Sequence, residues 1–193
     1  MLKYILVCIV AFAGFLFWYD YPIHRAPGEI VDEIPQIHRT NQPPFDFEKY
    51  TITPLRSIEA EARIIKRRRY FFDAKSDLSP IDVLVGWNEM SDERNLNEIH
   101  FSLKDRYYDL DLTKAPFPLH EIKAQIGLWH LIPANKNISD KLKKLRSGHI
   151  LTIEGYIVNV ESLDEVGWKS ELEAPRNGHL KNSIIWVEHI QLK

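Results

Sequence analysis

The period of hydrophobic positions changes along the chain, and each change marks a different element. From Tyr4 to Tyr19 the sequence YILVCIVAFAGFLFWY carries no charge. A stretch that is apolar on every face has no solvent side, which suits a helix surrounded by lipid. As a helix it rises about 24 Å against a hydrocarbon core of about 30 Å, and Trp18, Tyr19 and Tyr21 stand where an interfacial belt would lie. No small-residue cleavage site follows Phe17-Trp18-Tyr19-Asp20-Tyr21-Pro22, and Cys8 after Val7 comes too early for a lipoprotein signal. Residues 1–20 are therefore expected to be an uncleaved transmembrane signal anchor. Lys3 before the span favours an N-in orientation, with membrane contact through residues 2–19.

From Asp20 to Pro54 no period is sustained, and Pro22, Pro27, Pro35, Pro43, Pro44 and Pro54 punctuate the chain. Proline fixes φ and removes an amide donor, so residues 21–54 read as a proline-rich tether. Ile30, Val31, Ile34, Phe45 and Phe47 are the apolar residues in it that could dock. Residues 55–193 read as a single globular domain.

Ile58, Ala60, Ala62 and Ile64 alternate with charged residues, the mark of a half-buried strand. The strand runs toward Lys66-Arg67-Arg68-Arg69, where it is expected to leave the sheet. Ser79-Pro80 resembles a capped helix start, predicting a short helix over PIDVLVG that stops at Gly86. Ser91-Asp92-Glu93 opens another short helix. Ile99–Leu103 and Tyr107–Leu112 form a hairpin about Lys104-Asp105-Arg106. A short helix is expected over Leu119–Ile126. Another, DKLKKLRSG, is expected to be capped by Ser139 or Asp140 and stopped by Gly148. Gly155, inside an otherwise regular strand pattern, predicts a bulge or a barrel bend. Val166–Leu172 reads as a strand, Arg176-Asn177-Gly178 as a turn and Ser183–Leu192 as the last strand. The sum is an α+β fold: an N-terminal transmembrane helix plus one β-rich domain with several short helices. That domain would be a small barrel or curled antiparallel sheet, OB-like in its closing elements.

Composition changes this picture little but removes alternatives. A 45% hydrophobic fraction is too high for a disordered chain, and a net charge of −2 gives no global attraction to nucleic acid. The single cysteine lies in the apolar run, so the domain has no disulfide, no cysteine nucleophile and no finger-type zinc site. None of the common nucleotide, zinc-protease or serine-hydrolase motifs occurs. No catalytic residue, cofactor or metal is expected. The residues singled out as groove or partner contacts are Trp87, beside Gly86; His130, on an apolar segment; and Lys66, Arg67, Arg68 and Arg69, which stand next to Tyr70, Phe71 and Phe72.

Several segments are familiar together: EARIIKRRRYFFDAKSDLSPIDVLVGWNEMSD, HLIPAN, LRSGHILTIEGYIV, GWKSEL and the final IIWVE. Over roughly residues 50 to 190 they resemble a widespread bacterial family with an N-terminal membrane segment and no established activity. The resemblance implies a bacterial inner-membrane setting and carries over no catalytic residue. Between Glu171 and Ile184 the chain departs from that family, whose members are richer there in Gly, Asp and Cys. The expected function is a single-pass envelope protein whose extracytoplasmic domain is a binding or assembly module. Its partner would be an envelope protein or polymer. The alternatives are a hydrolase-type enzyme built around His130 and an OB-like binder of an anionic polymer.

Overall fold

The computed structural model describes residues 2–162, 167–171 and 182–193. Helix α1 (Leu2–Asp20) forms over the apolar run, with Tyr4, Ile5, Leu6, Val7, Ile9, Val10 and Phe12 exposed. Among the described residues, no helix is long and apolar enough to cross a membrane. The transmembrane part of the expectation is thus unsupported by the fold, which is otherwise the α+β, sheet-dominated domain expected.

The tether expectation is corrected. Residues 21–54 follow the domain surface and supply two strands, β1 (Gln36–Arg39) and β2 (Phe45–Phe47), both paired with β3 (Tyr50–Arg69). The prolines allow this because Pro35 and Pro43-Pro44 precede these short edge strands instead of interrupting them. Pro54 lies in β3 beside a register shift, where a missing donor is tolerated. Val31 is buried, and Phe45 and Phe47 pack edge-on against Trp186 at 5.0 and 4.8 Å.

The apolar run at 81–86 is a second correction: it forms strand β4 (Ile81–Gly86), not a helix. Every residue of β4 is buried, so alternation is lost. Val83 and Val85 join the main core, whereas Leu84 joins a second cluster with Phe101, Ile122 and Leu128. A strand covered on both faces reads as a continuous hydrophobic run, and over this length periodicity cannot separate it from a buried helix. The covering elements are the hairpin β5 (His100–Lys104) and β6 (Tyr107–Asp111) and helix α3 (Leu119–Ala124). Helix α2 (Glu93–Leu96) is capped by Asp92, close to the sequence expectation.

Strand β7 (Ile126–Pro133) leads into α4 (Lys136–Leu142), then β8 (Ile150–Ser162) and β9 (Asn182–Leu192). The cap of α4 is Asn135, whose side chain accepts from the Ile138 amide at 3.1 Å; Ser139 and Asp140 lie inside the helix. β3 pairs with β8 over its first part and with β4 over its last, bending at register shifts near Pro54 and Ile64. β4 pairs with β7, β7 runs parallel to β9, and β9 pairs with β8. The path β3-β4-β7-β9-β8 therefore returns to β3 and encloses the main core. Gly155 marks a register shift between β8 and β9, as expected: a Cβ there would stand 1.9 Å from the Trp186 carbonyl oxygen. The expected turn at 176–178 lies outside the described residues, as does part of the expected strand at 166–172.

Candidate functional site: a polar cleft over His130

Arg106 reaches the site from the tip of the β5–β6 hairpin. Asp105 and Arg106 are its two-residue turn, with φ of 51° and 64°. Positive φ at both positions is the type I′ geometry, which favours glycine at the second. An arginine there costs about 1 kcal/mol of backbone strain. Its side chain supplies the compensation. The guanidinium lies 4.1 Å from the Tyr70 ring centroid and 5.1 Å from that of Trp168. It pairs with Asp73 at 2.9 Å and Asp82 at 3.0 Å, and donates to the Ser79 carbonyl at 2.9 Å.

Asp82 is a fully buried charge in an apolar strand, and such charges require partners. Its register partner across β4–β7 is His130, itself 2% exposed. His130 Nδ1 lies 2.8 Å from Asp82 Oδ1, off the line of a good hydrogen bond. Asp82 Oδ2 and Asn182 Oδ1 have no hydrogen-bond partner among the described residues. Buried acceptors without partners are rare in native folds, so the spare Asn182 oxygen, on a residue that lines a cleft, points to a site that meets water or ligand.

His130, Arg106 and Asn182 line a cleft of about 540 Å³, with Asp82 buried behind them; its walls carry the cations Arg68, Lys75 and Lys169, the acids Asp73, Asp105 and Glu171, and the rings of Tyr70, Tyr107 and Trp168. Burial, and then the negative charge of Asp82, push the Tyr70 phenol up to about 12, so it stays a neutral hydroxyl at physiological pH. Burial opposes ionisation of Asp73, but the hydrogen bond and charge of Arg106 outweigh it and hold Asp73 below its ordinary value. Lys75 sits 4.5 Å over the Trp168 ring, and the His130 ring packs on Trp168 at 4.7 Å. The cleft therefore combines cations, aromatic faces and a buried carboxylate–imidazole pair.

The structure distributes the sequence candidates unevenly. His130 lies in the cleft. Trp87 does not line a groove: it is 2% exposed and part of the main core. The run Lys66–Arg69 stays in the sheet, paired with β4 from Leu84 to Ile81, because β4 extends that far. Its side chains alternate between faces. Lys66 and Arg68 donate to the Phe101 and Leu103 carbonyls at 2.8 and 2.7 Å, fastening the hairpin, while Arg69 donates to the Lys143 carbonyl. Of the four, only Arg68 lines the cleft. Arg106, Asp82, Tyr70 and Trp168 were missed. Two of them had a signal: Asp82 is a charge inside the run PIDVLVG, and Arg106 stands in Asp-Arg where a two-residue hairpin favours Asp-Gly.

Among the described residues, no group of three or more His, Cys, Asp or Glu is placed to hold a metal ion. Compared with family models, curated proteins and solved structures, the chain matches none.

Proposed function

We propose that the chain is a single-pass, N-in, membrane-anchored binding module. Helix α1 seats it in a bacterial inner membrane, and the extracytoplasmic domain takes an anionic segment of an envelope polymer in the His130 cleft. The anchor rests on the uncharged run from Tyr4 to Tyr19.

The observation that carries the binding reading is where the cleft sits on the strand ring. Counting ring strands in chain order, the path runs first, second, third, fifth, fourth, and back to the first. OB-type barrels bind oligosaccharides and oligonucleotides on the second and third strands, between the first-to-second and fourth-to-fifth loops. Here those positions are β4 and β7, carrying Asp82 and His130, and the loops that carry Lys75 and Trp168. This is an analogy of architecture, and the lining residues supply the chemistry. Arg68, Lys75, Lys169 and Arg106 outnumber the lining acids Asp73, Asp105 and Glu171 by one, and cationic donors beside aromatic faces suit an anionic polar chain.

The test uses full-length protein in detergent titrated with fluorescent dextran sulfate and with neutral dextran. Binding of the sulfated probe alone, weakening with salt, is expected. Lys75→Glu with Lys169→Glu should reduce it at least tenfold. Equal binding of both probes, or no loss in the double variant, refutes the reading. For topology, an alkaline phosphatase fused after Lys193 should be active, and activity only of a cytoplasmic reporter overturns the orientation.

One observation favours a second reading. A buried carboxylate lies 2.8 Å from His130 Nδ1 and His130 lines the cleft, the neighbours a general base in a hydrolase would need. Release of reducing ends from an envelope polysaccharide, abolished by His130→Gln with binding retained, would select it.

A further inference from the structure

The segment after α1 is fastened to the domain at once. The Ile23 amide donates to the Ser147 carbonyl at 2.8 Å, and Arg25 Nε to the Gly148 carbonyl at 2.7 Å. Arg25 Nη2 reaches the Lys193 carbonyl at 2.6 Å, and His24 Nδ1 lies 3.0 Å from Glu93. Gly28 donates to Asp92 at 3.2 Å, and Val31 to Ser91 Oγ at 2.8 Å. This strap leaves no free spacer. From Asp20, the end of α1, to Ile23 the chain can span at most about 10 Å.

If α1 is in a bilayer, the residues beside Ile23 must lie at its surface, whatever the tilt of the helix. They belong to the turn between α4 and β8, KKLRSGH, which carries Lys143, Lys144 and Arg146; Lys143 and Lys144 are exposed. Lys193, also exposed, joins them through the Arg25 contact. The neighbouring acids are Asp140, paired with Lys143, Glu61, paired with Lys193, Glu29, paired with Arg25, and Glu93, paired with Arg63 and His24. Lys144 and Arg146 add positive charge beyond these pairs.

We infer that the α4–β8 turn is a lipid-contact surface that rests on anionic headgroups through Lys143, Lys144 and Arg146. This inference rests on the anchoring reading. Each such cation near an anionic bilayer attracts it, and continuity with α1 supplies the proximity that an isolated basic patch lacks.

The test uses the full chain with Cys8→Ser and one new cysteine, at Lys144 or at exposed Glu161, carrying an environment-sensitive fluorophore. Glu161 lies eleven residues along β8 from Ile150, at most about 35 Å away. The proteins are reconstituted in phosphatidylcholine vesicles, with and without 30% phosphatidylglycerol, doped with headgroup spin-labelled lipid. Quenching at 144 should exceed that at 161 at least threefold, and should fall when phosphatidylglycerol is omitted or salt is raised. Protein that floats with the vesicles but shows equal quenching at both sites overturns the lipid contact and leaves the anchor standing. Quenching at 144 that ignores phosphatidylglycerol overturns the anionic preference. Protein that fails to float overturns the anchor, and this inference with it.

Discussion

Replacing Gly148 by alanine tests whether the strap is a built contact. Gly148 has φ of +90°, and a Cβ there would stand 1.8 Å from the Ile23 carbonyl oxygen. The left-handed backbone costs an L-residue about 1–2 kcal/mol, which lowers global stability. The clash adds a local effect, since a methyl group and the Ile23 carbonyl cannot share that space. The strap must lift, losing the Ile23 amide bond, worth about 1 kcal/mol, and the charged Arg25 bond, worth about 2 kcal/mol. Strap opening then becomes easier by about 3 kcal/mol, roughly 150-fold. Trypsin reads this directly, because Arg25-Ala26 is a cleavable bond whose arginine is held down in the closed strap. With opening fast relative to cleavage, the cut after Arg25 in full-length protein in detergent should accelerate by that factor. Asparagine at 148 accepts the left-handed backbone but still carries a Cβ. Gly148→Asn should therefore be cut as fast as Gly148→Ala. Cleavage of the alanine variant at the native rate refutes the strap. Asparagine behaving as glycine refutes the clash and leaves only backbone strain.

Arg106→Gly should relieve the hairpin strain yet leave Asp82 buried with an uncompensated charge. A net loss of about 2–4 kcal/mol is expected by urea unfolding, and a stabilised variant would refute the role given to the guanidinium. Asp92 is held at about 2, chiefly by its hydrogen bond to Arg94 against the cost of burial. A depressed folded value means stability that is present above about pH 4 and lost as pH falls toward 2. Allowing for screening around exposed Arg94, Asp92→Asn should remove about 1 kcal/mol of that acid dependence, and an unchanged acid limb in urea titrations at pH 6 and pH 2 counts against it. Asn135→Ala should cost about 1 kcal/mol through loss of the α4 cap, whereas Ser139→Ala and Asp140→Ala should each stay within about 0.5 kcal/mol.

Alternation made part of the fold legible. Ile58 to Ile64 declared β3 because one of its faces is more polar, and Gly155 declared its bulge because nothing larger fits beside the Trp186 carbonyl. The charge-bearing Lys104-Asp105-Arg106 declared the hairpin. Illegible were the segments whose surroundings are set by distant chain. β4 has both faces covered, so Ile81 to Gly86 carries no alternation, and the preceding Ser-Pro mimics a helix cap. The prolines of 21–54 suggested a free tether because nothing local shows that Ile23 meets Ser147 or that Val31 meets Ser91. The site was half legible for the same reason. His130 stood out as a polar residue among apolar ones, whereas Arg106 acquires meaning only once Tyr70, Asp73 and Asp82 come from other elements to meet it.

Strand β8 relates the two proposals to each other. It begins at Ile150, two residues past the Gly148 contact of the strap, and Trp168 of the cleft wall bridges Val160 near its other end. Ten residues of strand span at most about 33 Å between these points. Another wall of the cleft is nearer the turn: Arg68 lines it, and the adjoining Arg69 donates to the Lys143 carbonyl. An anchored domain resting on its α4–β8 turn would thus hold the Arg68 side of the cleft close to the headgroups. The tests of the two proposals stay separable because they use different cations: charge reversal at Lys75 and Lys169 should leave lipid quenching at position 144 unchanged.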